Sequence, residues 1–499
     1  MNRDRLTFAR GVVTVAAIML VILTAGTLAD WIVYGLPLAR MTTLDYTEAR
    51  FLADMTNRGL NQLLALTFTV VAIAVPLTAN LYSLKFLDFF IKDSVNAAVL
   101  TLVVYSDLAS FWTVYSLREN SIPFSLLYLG LGLLLLCLCV LFPYLHYVFR
   151  FLHPTTLLTR LEAEIGAGLR AAARRPARAA AQRQLVAEGI EHIANIAIRS
   201  IERTDRATAI ESVVTLERVA RAYWSLKPSL PPGWFVADPN SFRGFSSQAV
   251  DEFSASRIWV EMKVFSQLRG ILSSAVPRTH DVADTAAKAL RRLGLAARAD
   301  PAVRELVTEY FNTFIRLALT RHDTNTAFAL FDHYRLFAEE MNRECPDLVL
   351  EIAFYFEYYG QLARENQLPF VVEAGAHDLA TLTRHAWETQ ASNRQKLLQR
   401  FLHYEEKDRP PLAGVKKAQA ILASYFLACG QSEPAQLIRG CFMGLDPRFI
   451  GEIKDDLLHV RREKYWEISE RRMNFDYVPP AQREKLREFF DSLITTPTP

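Results

Sequence analysis

The sequence predicts an all-α fold: four transmembrane helices, then a large cytoplasmic α-helical domain whose last part is a degenerate helical-hairpin solenoid. Three observations carry this. Between Arg10 and Arg150 the stretches 11–29, 59–84, 94–117 and 120–149 hold almost no charge. Each reaches the about 20 mostly apolar residues that a helix needs to cross a hydrocarbon core. Beyond Arg150 charges of both signs become dense, apolar residues recur at three-to-four spacing, and no alternating strand pattern is found.

A chain of 499 residues exceeds what one core usually holds. The division expected is a membrane domain over 1–150, a membrane-proximal helical domain over 151–275 and a C-terminal helical domain over 276–499. A net charge of +3 is too balanced for a nucleic-acid partner. Cys137 and Cys139 lie in the fourth span, while Cys345, Cys429 and Cys441 are scattered without zinc-ligand spacing and fit a reducing compartment. No metal or cofactor is called for. Span one follows Arg3, Arg5 and Arg10 but lacks a small-residue cleavage site, so a retained helix is expected.

Lys and Arg beside the spans set orientation. Those before span one and the run from Arg150 to Arg183 outweigh Arg118 in the loop between spans three and four. Arg40, Arg50 and Arg58, between spans one and two, form a mild counter-signal. Both termini are therefore expected in the cytoplasm. Pro76 is expected to kink span two. Over 84–95, Lys85, Asp88 and Lys92 recur among Leu and Phe, which predicts an amphipathic helix in the headgroup layer.

Span three carries Asp107 near its middle, where a charge is costly. A helical wheel puts Asn96, Ser106, Asp107, Ser110 and Thr113 on one side, opposite Tyr105, Leu108 and Trp112. Such a stripe either lines a water-filled path or bonds helices together. Asp30 is expected to reach the interface, and His146 to be interfacial rather than a proton relay.

A helix continuing from span four is expected over 157–175, broken at Pro176, and another over 177–200. Arg170, Arg174, Arg175 and Arg178 form a solvated face near anionic headgroups, a candidate for lipid contacts. After Pro228, Pro231, Pro232 and Gly233, the aromatics Trp234, Phe235, Phe242, Phe245 and Phe253 are expected to pin a loop to the core.

Several segments resemble a bacterial family of predicted membrane proteins with a domain of unknown function. Ser83-Leu84-Lys85-Phe86-Leu87-Asp88-Phe89-Phe90-Ile91-Lys92-Asp93-Ser94-Val95-Asn96 is similar to that family's stretch after its second span. The helix Gly189-Ile190-Glu191-His192-Ile193-Ala194-Asn195-Ile196, followed by Asp205, Thr208 and Ala209, resembles the approach to its Asn-Asp-Pro-Phe-Thr-Ala segment. Ser241-Phe242-Arg243-Gly244-Phe245 resembles its Ser-Phe-Glu-Gly segment. The match covers roughly residues 50–270. The resemblance implies four spans and a bacterial inner-membrane location, and no reaction. It also marks Asp205 as the family-matched polar residue, with an N-cap as its plainer role.

Towards the C-terminus the helix ends at Gly360-Gln361 and Gly430-Gln431 look alike, which suggests two units of a roughly 35-residue period. Phosphate loops, nucleophile elbows and zinc-protease motifs are not found, so no enzyme is indicated. His280-Asp281, His322-Asp323 and His377-Asp378 are expected at helix boundaries, with each Asp as an N-cap. The tail over 495–499 is expected to be disordered.

Two functions fit. One is a homo-oligomeric channel or transport component, its path running between subunits and lined by span three with Asp107. The other is a membrane-anchored scaffold that recruits a protein partner through 281–499. The mid-membrane carboxylate tips the expectation towards the first.

Overall fold

A computed structural model describes residues 44–82, 85–119, 121–405, 409–466 and 471–494, with Val21, Thr24, Ala25, Leu28, Ala29 and Ile32. Apart from Val21, Thr24, Ala25, Leu28 and Ala29, which are helical, the expected first span lies outside the described residues. So do Arg3, Arg5, Arg10, Asp30, Arg40 and the 495–499 tail. The chain divides into two compact units, to Leu157 and from Leu158. Helices dominate both, and an isolated bridge between Arg118 and Ser121 is the only β pairing among the described residues.

In the first unit α1 (Tyr46–Leu81) packs against α3 (Ser94–Ser116) and α4 (Phe124–Phe151), with the short α2 (Lys85–Lys92) between α1 and α3. Among the described residues these three long helices are apolar and long enough to cross a membrane. Leu60, Leu63, Val103 and Cys137 form their shared core. α1 begins well before the expected position 59. Asp45 and Glu48 form a reciprocal capping box at its start, and Ala49 and Ala53 pack on Leu127 of α4. Arg50 and Arg58 thus ride on a helix, not in a loop. Pro76 lies inside α1, which runs on through it.

The amphipathic α2 buries Phe86 and Phe90, whose rings meet Phe151 edge-on at 5.3 and 5.5 Å. α4 stops at Phe151 and α5 (Pro154–Arg174) starts three residues later, so the expected continuous helix is interrupted.

The second unit is a stack of helix pairs in two rows. The first row runs α6 (Ala179–Glu202), α9 (Trp259–Ala275), α11 (Pro301–Thr320), α13 (Pro346–Glu365), α15 (Arg394–Leu402) and α17 (Ser432–Arg439). The second runs α7 (Arg206–Leu226), α10 (His280–Ala296), α12 (Thr324–Met341), α14 (Pro369–Glu388), α16 (Ala413–Ala428) and α19 (Pro480–Ile494). The short α8 (Ser247–Ala255) leads into α9, and α18 (Pro447–His459) packs on α16 and α19. Helices α9, α11, α13 and α15 begin 42, 45 and 48 residues apart.

One turn recurs through the stack. Asp205 N–H donates to the Ser200 carbonyl (2.9 Å), Asp323 to Ala318 (3.0 Å), Leu368 to Ala363 (2.9 Å) and Gln431 to Phe426 (2.8 Å). These are Schellman closures, which require a left-handed residue just past the helix. Thr204, His322, Gln367 and Gly430 hold that place, with φ of 62°, 54°, 59° and 72°.

The two Gly-Gln pairs are therefore not equivalent. Gly430 is such a cap after a second-row helix, whereas Gly360 is buried within first-row α13. The aromatic loop is pinned as expected: Trp259 Nε1 donates to the Trp234 carbonyl at 2.9 Å, and Phe242, Phe245 and Phe253 cluster, with Phe245 edge-on to the other two.

Candidate functional site

In the first unit the whole polar side of α3 is turned inward. Asn96, Ser106, Asp107, Ser110 and Thr113 are all buried, while Leu108, Phe111 and Trp112 are exposed. Helix–helix hydrogen bonds use most of the stripe. Ser110 Oγ donates to Asn57 Oδ1 of α1 at 2.8 Å, Cys137 of α4 approaches Ser106 Oγ at 3.4 Å, and Thr113 reaches the Leu126 carbonyl at 3.4 Å. Asn96 serves the α2–α3 corner instead, its Nδ2 donating to the Phe90 carbonyl at 3.1 Å. Asp107 Oδ1 and Thr56 Oγ1 are buried and, among the described residues, have no hydrogen-bond partner. Sequence reasoning missed Asn57 and Thr56 because their polar neighbours read as a loop. His146 is exposed.

In the second unit Arg170, Arg174, Arg175 and Arg178 are exposed, while Leu158, Leu161, Ile165 and Leu169 of α5 are buried. Gly189 of α6 lets α5 approach closely, since a Cβ there would lie 2.7 Å from Ile165 Cγ1. Asp205 is the N-cap of α7, accepting from Thr208 N–H at 3.1 Å. Asp323 caps α12 in the same way. Asp281 does not cap, because Thr279 occupies that position of α10. His377 and Asp378 lie mid-helix in α14, both buried, against the expectation of a boundary.

Asp378 belongs to a buried ion cluster that the sequence did not reveal. Arg335 of α12 donates from Nε to Asp378 (3.1 Å), from Nη1 to Glu339 (2.6 Å) and from Nη2 to Asp332 (2.6 Å). Arg471, from the irregular segment before α19, donates to the same Asp378 oxygen at 2.7 Å and to the Phe328 carbonyl. Its guanidinium lies over the Phe328 ring, 3.8 Å from the centroid. Burial pushes the Asp378 carboxyl up, and Arg471 and Arg335 pull it back.

Four residues on, Phe475 stacks on His377 at 4.7 Å with 9° between rings, and Asp476 pairs with Lys417 of α16 at 2.8 Å. Residues 471–477 thus lie as a strap across α12, α14 and α16. Beside the strap a cavity of about 360 Å³ remains, lined by Thr381, Arg384, Ile421, Tyr425 and the strap itself.

Burial holds the His377 imidazole down, to about 4, with Lys417 and Arg471 acting in the same sense and Asp476 against it. The unfolded histidine takes a proton near its ordinary 6.5 and the folded one resists. Stability from this group is complete above that value and is lost as pH falls towards 4, on the order of 3 kcal/mol in all. Denaturant titrations of the full chain at pH 7 and 4.5 should therefore show a smaller acid loss in His377→Gln than in wild type. Parallel losses would assign the pH effect to carboxylates elsewhere.

No family model and no curated protein matches the chain. Among solved structures it is similar to one described as a circular tandem repeat protein with novel repeat topology and enhanced subunit contact surfaces. That match has 12% identity and a TM-score of 0.34, over 90% of this chain and 97% of the other.

Proposed function

We propose that this chain is a membrane-anchored scaffold: α1, α3 and α4 hold it in a bacterial inner membrane, and the helical stack presents its second row to a protein partner in the cytoplasm. The observation that carries this is the pocket on that row, a built acidic site that already engages an extended segment of chain. Stacks of helix pairs offer long continuous surfaces of this kind. The arginine-rich end of α5, close in sequence to α4, supports the cytoplasmic side and suits anionic headgroups.

A second function, a proton- or cation-conducting homo-oligomer, is favoured by the buried Asp107 oxygen that has no partner among the described residues. Because the stripe faces inward, a path using it would run within the bundle of each copy, the exposed side of α3 being apolar.

One experiment separates the two. A photo-crosslinking residue at Thr381 of the full chain, in its native membrane, is expected to give a discrete protein adduct. Absence of any adduct, together with bilayer currents that Asp107→Asn alters, would replace the scaffold with the conductor.

A further inference from the structure

The strap engages the second row through few, separable contacts. Arg471 supplies a cation to Asp378, and Phe475 supplies a ring to His377 and Phe328. Between them Met473 is 46% exposed and lines the cavity beside the strap. Arg472 is held at φ 49°, in the left-handed region that non-glycine residues avoid. The cavity beside the strap shows that the groove has room for a larger occupant.

The pocket has a sign of its own. Among the described residues Asp332, Asp378 and Glu339 face one fixed cation besides Arg471, namely Arg335, so without Arg471 the site is left with an excess of two negative charges. Its receptor chemistry is therefore defined: a guanidinium for the acids, with an aromatic ring four residues later for His377 and Phe328.

We infer that residues 471–477 are a built-in competitor, and that the groove across α12, α14 and α16 receives an extended protein segment bearing an arginine followed four residues later by an aromatic. This rests on the scaffold function and names its partner's chemistry. In cis the strap acts at an effective concentration of the order of millimolar. A partner must exceed that, or the strap must first be released.

The test is fluorescence anisotropy of a labelled peptide of sequence 471–479 with the full chain in nanodiscs. Arg471→Ala/Phe475→Ala, which vacates the groove, is expected to bind it at least tenfold more tightly than wild type. Replacing the peptide's arginine by citrulline, or adding Asp378→Asn to the vacated chain, is expected to remove that gain. Equal binding by both chains, or by both peptides, overturns the inference.

If the vacated chain does not fold, hydrogen exchange on wild type decides. Millimolar arginine peptide should raise exchange at residues 471–477 where the citrulline peptide does not, and no difference overturns the inference. A vacated chain that binds no peptide but retains the Thr381 adduct leaves the scaffold standing and refutes this partner. Strap exchange between two copies, seen as a dimer that the free peptide cannot dissolve, also refutes it.

Discussion

Arg335→Met is expected to destabilise the second unit by about 3–5 kcal/mol, the cost of leaving buried charges without their partner. Among the described residues Arg335 is the only group that touches all three carboxylates, Asp332, Glu339 and Asp378. Among the described residues its removal leaves Asp332 and Asp378 to Arg471, and Glu339 without an ion-pair partner. Lysine should rescue poorly, because one ammonium cannot reproduce three diverging donors. Burial already pushes the Asp378 carboxyl up, so in the variant it costs stability while ionised and ceases to do so once protonated. The deficit should therefore shrink as pH falls from 7 towards 4. Urea titrations of wild type and variant at both ends of that range measure it. A deficit under about 1 kcal/mol, or one indifferent to pH, would show that the cluster is well solvated.

The second large effect concerns Tyr404, in the connection between α15 and α16. It is buried, and its hydroxyl donates to the Val372 carbonyl at 2.9 Å. Gly360 of α13 and Gly375 of α14 make room for it, since a Cβ on either would fall well inside contact distance of the phenol oxygen. Tyr404→Ala should cost about 3–5 kcal/mol through the cavity it leaves. Gly360→Ala and Gly375→Ala should each cost about 1–3 kcal/mol by overpacking.

Tyr404→Phe then distinguishes the two glycines. At Gly375 the next tyrosine atom, Cζ, is 3.5 Å from the added carbon, so losing the hydroxyl should relieve the clash. At Gly360 the same atom is 2.7 Å away, and relief should fail. Thermal melts of the single and double variants give the coupling. Equal rescue at both positions would refute this packing.

Much of the helical layout could be read from apolar spacing, because an amphipathic helix has to bury one face whatever its neighbours are. The inward side of α3 was legible on those grounds, and so was the cap at Asp205, a local interaction. The start of α1 was not, since Arg50, Asn57 and Arg58 give a helix that leaves its apolar stretch the polarity of a loop. The ion cluster was hidden for a different reason. Asp378 meets partners 43 and 93 residues away in sequence, and an adjacent His-Asp pair looks the same mid-helix as at a boundary. The recurring turn escaped notice because Thr204, His322 and Gln367 hold a backbone shape that sequence patterns associate with glycine.

The bond from Arg471 to the Phe328 carbonyl spans 143 residues. Stacked repeats otherwise fold by nearest-neighbour contacts, so that an end can fray while the middle stays formed. A stitch from the C-terminal segment back to α12 removes that independence. Helices α12 and α14 are both tied to one guanidinium, and unzipping from the C-terminal end cannot pass beyond α19 into them without withdrawing it. Cooperativity over this part of the chain is then a property of Arg471 as much as of the helix interfaces, and whatever lifts that side chain also loosens the array beneath it.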